Sequence, residues 1–260
     1  MARQGGHVAA TKDDSGPAIP PAVESAWGLR ERPPKGPRPG LTVSGIVDAA
    51  VRVADADGLA AVSMSRVAKE LSAATMALYR YLGSKDELLM LMVDAGYGPP
   101  PGPAAPDADW RAGLTRWAWA EHDVLRQRPW LLHVPITGPP ITPQQLGWLE
   151  DGLRCLDDTA LTEGERMSAL LLITGYVRNE ATLTAQITEG SRAAGVEPGE
   201  MMPAYARTVG RLIDPARFPA LSRVLASGVL NQDDDPNEEF TFGLDRILDG
   251  IEALILRRAV

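Results

Sequence analysis

Two proline-rich stretches bracket a block of helical periodicity, and they confine the chain to helical segments separated by breakers. The first stretch is Arg30-Glu-Arg-Pro-Pro-Lys-Gly-Pro-Arg-Pro-Gly40 and the second is Gly98-Pro-Pro-Pro-Gly-Pro-Ala-Ala-Pro106. Proline fixes φ and lacks a backbone donor, so neither stretch can carry a helix. Between them, from Leu41 to Tyr97, apolar residues recur at helical spacing. From Asp107 onward, helical segments alternate with Pro/Gly breaks. No β alternation of any length and no internal repeat interrupts this pattern, so the chain is expected to be all-α. The expected units are a disordered, basic and Pro-rich arm over 1–40, a helical block over 41–96 and a second helical domain over 107–260.

Composition narrows the class. Of 260 residues, 45% are hydrophobic and 23% charged, values usual for a soluble globular chain. No apolar run approaches the roughly 18 residues of a membrane span, and the opening Met1-Ala-Arg-Gln-Gly-Gly lacks the apolar segment of a secretory signal. The single cysteine, Cys155, excludes an intrachain disulfide and a cysteine-cluster metal site. A cytoplasmic protein without metal or cofactor is expected. The net charge of −8 argues against nucleic acid only if read globally. Arg30 to Gly40 holds four cations against one anion, and Leu41 to Ala95 holds five against seven. The acidity lies mostly beyond residue 95, which permits a DNA-facing N-terminal part.

The first helical block has informative punctuation. Ile46, Val47, Ala50, Val51, Val53 and Ala54 form a stripe that ends at Gly58, placed as a helix C′ residue. Ser63 is a good N-cap, and Met64, Val67, Ala68 and Leu71 give the next helix an apolar face. Ser72-Ala-Ala breaks it. Thr75 to Tyr81 makes about two further turns with Leu78 inward. Ser84 then caps a helix opening with Lys85. Two short helices around a tight turn, braced by flanking helices, form a three-helix helix-turn-helix unit, the expected DNA-binding part.

The segment from Val62 to Leu89 resembles the DNA-binding block of TetR-type regulators. The resemblance is carried by Ser63 opening the second helix, the Val67-Ala68 pair, Leu71 before the turn, Leu78-Tyr79 in the recognition helix and Lys85 opening the fourth. Two positions depart from the pattern. Ser72 stands where the family usually has Gly, and a non-glycine in a left-handed turn costs about 1 kcal/mol. Ala74 stands at the usual Ser/Thr cap and Thr75 is the nearest hydroxyl, so a shift of the cap by one residue is expected, moving the base-reading side chains slightly. The resemblance implies phosphate contacts from Ser63, Tyr79 and Lys85, with Ser65, Thr75, Met76, Ala77 and Tyr81 nearest the base edges. Arg66 and Arg80 add charge. Arg30, Arg32, Lys35 and Arg38 of the arm either enter an adjacent minor groove or stay solvated.

The later part resembles the regulatory domain of the tetracycline-repressor branch, through Arg128-Pro-Trp-Leu…Gly138-Pro-Pro and Gly175-Tyr-Val-Arg-Asn-Glu180. The resemblance implies a helical bundle that binds a small-molecule effector and forms a homodimer. Trp117, His122, Trp130, His133, Trp148, Arg178, Asn179 and Thr182 are the candidate effector-binding residues. The same aromatic inventory also suits a packed core. The stripe Phe240, Leu244, Ile247, Leu248, Ile251, Leu254 and Ile255 suits a dimer interface or a face buried within one subunit. The implied function is a repressor released from a palindromic operator by its effector, with a ligand-independent or activating regulator as the alternative. No catalytic spacing supports an enzyme.

Overall fold

Among the described residues, hydroxyl and carboxyl side chains cap five of the eleven α-helix starts. A computed structural model describes residues 19–29, 41–102, 108–231 and 237–259. Among them, eleven α-helices and four short 3-10 turns are present and no strand occurs. Helix α1 spans Pro21–Ala26 and α2 spans Val43–Asp57, opened by the Thr42 hydroxyl accepting from Gly45 N at 3.0 Å. Helices α3 (Met64–Glu70) and α4 (Thr75–Leu78) follow, then α5 (Lys85–Tyr97), whose Ser84 cap accepts from Glu87 N at 3.1 Å. The second part holds α6 (Trp110–Gln127), a 3-10 helix at Pro129–His133, α7 (Pro143–Arg154) and α8 (Glu163–Ala194). Then come α9 (Met201–Leu212), α10 (Pro219–Ser227) and α11 (Glu238–Arg258). A reciprocal capping box between Thr162 and Glu165 starts the 32-residue α8.

The N-terminal core is built from α2, α3, α4 and α5 around Ile46, Val67, Leu78, Leu82 and Leu88, all fully buried. The second core gathers Leu114, Leu125, Leu156, Ile173, Phe240 and Leu244 between α6, α8 and α11. The C-terminal stripe is therefore used mainly inside the subunit, with Phe240, Leu244, Leu248 and Ile251 buried there. This is the intrasubunit alternative, and it corrects the stripe as the interface.

The expected disordered arm over 1–40 also needs correction. Residues 19–29 form and flank α1, which packs on α2 and α5. Pro21 fits the first helical turn, where no donor is needed. Ala22 and Val23 bury, and Ala22 N donates to Glu87 Oε1 at 3.0 Å. Trp27 Nε1 donates to the Ile141 carbonyl at 2.9 Å, just before α7. Arg30, Arg32, Lys35 and Arg38 lie outside the described residues.

Helix α5 belongs to both parts. Its buried Asp94 accepts from Gln144 N at 2.8 Å and Gln145 N at 3.1 Å, capping α7 in place of a side chain of its own. Near its end, the Gly96 carbonyl accepts from Arg128 Nη1 at 3.0 Å. Trp130 Nε1 donates to Asp55 Oδ1 of α2 at 2.7 Å, and Arg128 Nε lies 3.5 Å from the same oxygen. Gly96 is required for this packing: a Cβ there would sit 2.8 Å from Trp130 Cη2 and 2.9 Å from Leu131 Cδ2. Gly→Ala inside a helix ordinarily adds up to about 1 kcal/mol of stability. Gly96→Ala is instead expected to destabilise the chain by about 1–3 kcal/mol through overpacking at the seam. Urea unfolding of the variant would show a lower midpoint, and an unchanged or raised midpoint would contradict the close packing.

Candidate DNA interface and effector site

The reading head is shaped by its turn. Helix α3 starts at Ser63, whose hydroxyl accepts from Arg66 N at 3.2 Å. It ends in a Schellman arrangement, with Ser72 N bonded to Lys69 O at 3.1 Å and Ala73 N to Ala68 O at 2.9 Å. Such an end needs a left-handed residue, and Ser72 has φ 51°. The turn is thus made despite the missing glycine. Ala74 remains the N-cap of α4 and gives no side-chain bond, so the cap does not shift to Thr75. Helix α4 is correspondingly short at Thr75–Leu78, and Tyr79 to Tyr81 continue it as a turn rather than two full helical turns.

Leu78 is buried, and this fixes which side of α4 faces out. Met76 is 73% exposed and Tyr79 44% exposed, while Thr75 and Ala77 are half-buried. Ser65, Arg80 and Lys85 are exposed around them. Tyr81 is half-buried and packs against the core. Arg66 is engaged by Asp57 at 3.0 Å, and Arg52 lies 3.9 Å from Glu70. Lys69, Arg80 and Lys85 have no ion pair among the described residues, so they are the cations free to meet phosphates.

The second cluster lies where the end of α5 meets α6, α7 and α8. Glu121 of α6 is only 3% exposed. Tyr97 Oη donates to its Oε1 at 3.1 Å and Thr174 Oγ1 to its Oε2 at 3.3 Å. Arg178 Nη1 donates to Tyr97 Oη at 3.3 Å. Burial pushes the Glu121 carboxyl up to about 7, against the opposing pull of the Tyr97 and Thr174 hydrogen bonds and the Arg178 charge. Burial, aided by the Glu121 charge, also raises the Tyr97 phenol. Trp148 closes the cluster, edge-on to Tyr97 at 5.8 Å and to Trp117 at 6.2 Å. Its Nε1 donates to the Gly98 carbonyl at 3.0 Å, and Trp117 Nε1 donates to the Trp148 carbonyl at 2.9 Å.

His122, one residue along α6, faces another way. Its Nε2 lies 2.8 Å from Glu180 Oε2, its ring stacks on Phe240 at 4.1 Å, and its buried Nδ1 has no partner among the described residues. Burial raises the Glu180 carboxyl, but hydrogen bonds from His122 and Thr184 outweigh it and hold the group below its ordinary range.

With this geometry in place, relatives can be compared. Residues 46–91 match the family described as "Bacterial regulatory proteins, tetR family", and residues 102–255 match "Tetracyclin repressor-like, C-terminal domain". The chain belongs to the TetR family. It is 36% identical over 254 residues to the HTH-type transcriptional repressor DrrR1 of Streptomyces coeruleorubidus, covering 97% of this chain and 93% of that protein. An HTH-type transcriptional regulator of Saccharopolyspora erythraea is 29% identical over 62% of this chain and 70% of that protein. The crystal structure of the TetR family protein ActR of Streptomyces coelicolor, in complex with actinorhodin, superposes with a TM-score of 0.67 at 24% identity. It covers 82% of this chain and 98% of that one, and supports the fold. This TetR-family chain is thus a DNA-binding transcriptional regulator with an N-terminal helix-turn-helix and a helical C-terminal domain.

The candidate effector residues of this TetR chain do not form one site. Trp117, Trp148 and Arg178 gather at the Glu121 cluster, and Thr182 lies one turn further along α8, its hydroxyl bonded to the Arg178 carbonyl at 2.7 Å. His122 lies on the Phe240 side, Trp130 is spent on the seam with Asp55, and His133 and Asn179 are exposed. None of them lines the cavity of about 320 Å³ between the start of α6 and the end of α7, which is walled by Asp109, Trp110, Asp151, Arg154 and Cys155 among others. Glu121, Tyr97 and Thr174 escaped the sequence reading. The signal was available: Glu121 falls on the same stripe as Leu114, Trp117, Ala118 and Leu125, where a charged residue is out of place.

A buried carboxyl held protonated by the fold links stability to pH. Folding raises Glu121 from 4.5 to about 7, so the folded chain binds more protons than the unfolded chain across that interval. Stability therefore falls as pH rises through it, by up to about 1.4 kcal/mol per pH unit. Glu121→Gln should remove this slope. Thermal melts from roughly pH 5 to roughly pH 8 compare the two proteins, and parallel curves would refute the assignment.

Proposed function

We propose that this chain is a homodimeric repressor, released from a palindromic operator when a small-molecule effector binds its C-terminal domain. It acts in the cytoplasm and has no catalytic role. The observation that carries this reading is the 36% identity to a transcriptional repressor across 97% of the chain. The seam supports a switch: α5 carries Lys85 at the DNA-facing end and Tyr97 at the effector end. An effector that binds one setting of α5 more tightly shifts DNA affinity by that ratio.

Two exposed apolar surfaces support the dimer. Helix α8 leaves Met167, Leu171, Leu172, Leu183 and Ile187 exposed, and α11 leaves Phe242 and Leu256 exposed. Patches of this kind mark association surfaces. Paired heads about one DNA turn apart would then read a palindrome. Sedimentation at micromolar concentration should give a dimer, and Leu171→Glu should give a monomer. A monomeric wild-type chain would overturn the pairing.

DNA binding is tested by selecting sequences from a random duplex library and measuring affinity against salt. Lys85→Ala removes one phosphate contact per half-site, so it should weaken binding to every selected sequence and lower the salt slope by about 1.8. Tyr79→Phe removes one hydrogen bond per half-site and should weaken binding by roughly 2 kcal/mol. Failure to enrich any sequence would sink the repressor reading. Removing residues 1–18, and separately replacing Arg30, Arg32, Lys35 and Arg38 by Ser, tests the arm without dislodging α1. An unchanged salt slope in the second variant would remove those four residues from the interface.

A further inference from the structure

Arg178 is a half-buried cation without a matched anion. Its Nη1 bonds to a neutral phenol, Tyr97, and among the described residues it forms no ion pair. The nearby carboxyl, Glu121, takes its hydrogen bonds from Tyr97 and Thr174 instead. Guanidinium groups bind carboxylates more strongly than phenols, because the bonds are charge-assisted and can be bidentate. Around Arg178 the surfaces are of two kinds. Glu121, Trp117 and Trp148 close the inner side, each at most 5% exposed. Tyr97, Thr174 and Arg178 are each partly exposed and give the cluster a side toward solvent.

We propose that Arg178, Tyr97 and Glu121 form the polar anchor of the effector site, and that the effector is an aromatic acid. Its carboxylate bonds to Arg178, and its ring lies against Tyr97, the partly exposed aromatic of the cluster. This rests on the reading of the chain as an effector-released repressor and adds the ligand's chemistry to it. An incoming carboxylate competes with Tyr97 for Nη1 of Arg178. Tyr97 is the last residue of α5, so losing its bond from Arg178, with only the bond to Glu121 left, acts directly on the helix that carries Lys85.

Proton linkage accompanies this step. Tyr97 of α5 and Arg178 of α8 are the charged or titratable groups that face Glu121, with Thr174 as a neutral donor. Trp117 of α6 and Trp148 of α7 bring no charge. A second carboxylate beside Glu121 favours its protonated form. Affinity for an acid should therefore fall as pH rises above about 7.

The test uses 1-hydroxy-2-naphthoate and its methyl ester as probes on the protein of residues 1–260, read by tryptophan fluorescence. The acid should bind about tenfold or more tighter than the ester, as a charge-assisted bond requires. Arg178→Gln should erase that advantage, so that acid and ester bind alike. Glu121→Gln should flatten the pH dependence of acid binding. Equal binding of acid and ester, an Arg178→Gln variant that binds the acid as wild type does, or no binding of the acid would each overturn the proposal. The acid/ester comparison needs no variant, so a misfolded Arg178→Gln does not blunt it. DNA binding of the probe-free wild type is measured in parallel. Intact DNA binding without probe binding removes the ligand class alone, whereas lost DNA binding removes the repressor reading itself.

Discussion

A carboxylate withdrawn from water must be given donors, or its burial costs several kcal/mol. Helix α5 carries two such groups one heptad apart, Glu87 and Asp94, and satisfies both with backbone N–H groups of other segments. Glu87 accepts from Ala22 of α1 and from Gly83, and Asp94 accepts from Gln144 and Gln145 at the head of α7. Residues seven apart share a helix face. That face is consequently pinned to the N-terminal helix at one point and to the regulatory domain at another. Sliding α5 alone would strand a buried charge, so α1, α5 and α7 move together or stay. The Arg128 bond to the Gly96 carbonyl and the Trp130 bond to Asp55 add the 3-10 helix and α2 to the same unit.

The reading head has the opposite character. Helix α4 has four residues and no capping side chain, far below the length at which a helix is stable alone. It is held by Leu78 in the core and by the turn that Ser72 makes with positive φ. Nothing local fixes Thr75, Met76 and Ala77 as firmly as tertiary packing fixes α5. A short helix presented from a rigid base suits groove reading, because its outer side chains adapt while the base sets spacing.

Features that depend on neighbours in sequence were legible. Ser63, Gly58 and Ser84 were read as helix punctuation from residue type alone, and the left-handed turn at Ser72 came from the resemblance to TetR-type regulators. Features that depend on distant partners were not. Helix α1 is too short for a period to show, and its anchors are Glu87 and Ile141, 65 and 114 residues away. Trp130 reads as a pocket aromatic until Asp55 is placed against it. Glu121 looks like a solvated helix charge unless its position on the apolar stripe is noticed. Sequence spacing places a residue on a face, and only the packed partner says whether that face is core, seam or site.

Helix α8 shows why the effector site and the dimer surface belong to one argument. At 32 residues it is about 48 Å long. Its inner face buries Leu170, Ile173, Val177 and Ala181 against α6, while Leu171, Leu172, Leu183 and Ile187 face outward. A helix apolar on two sides needs cover on both, and the described residues supply only one. Arg178 and Thr174 stand between those faces, facing Tyr97 and Glu121. In the proposed dimer the outer face is fixed against the partner, so α8 is the stationary wall of the site. The movable wall is then α5. A carboxylate on Arg178 would break the bond from that fixed wall to Tyr97 at the end of α5, and that converts binding energy into a changed separation of the two heads.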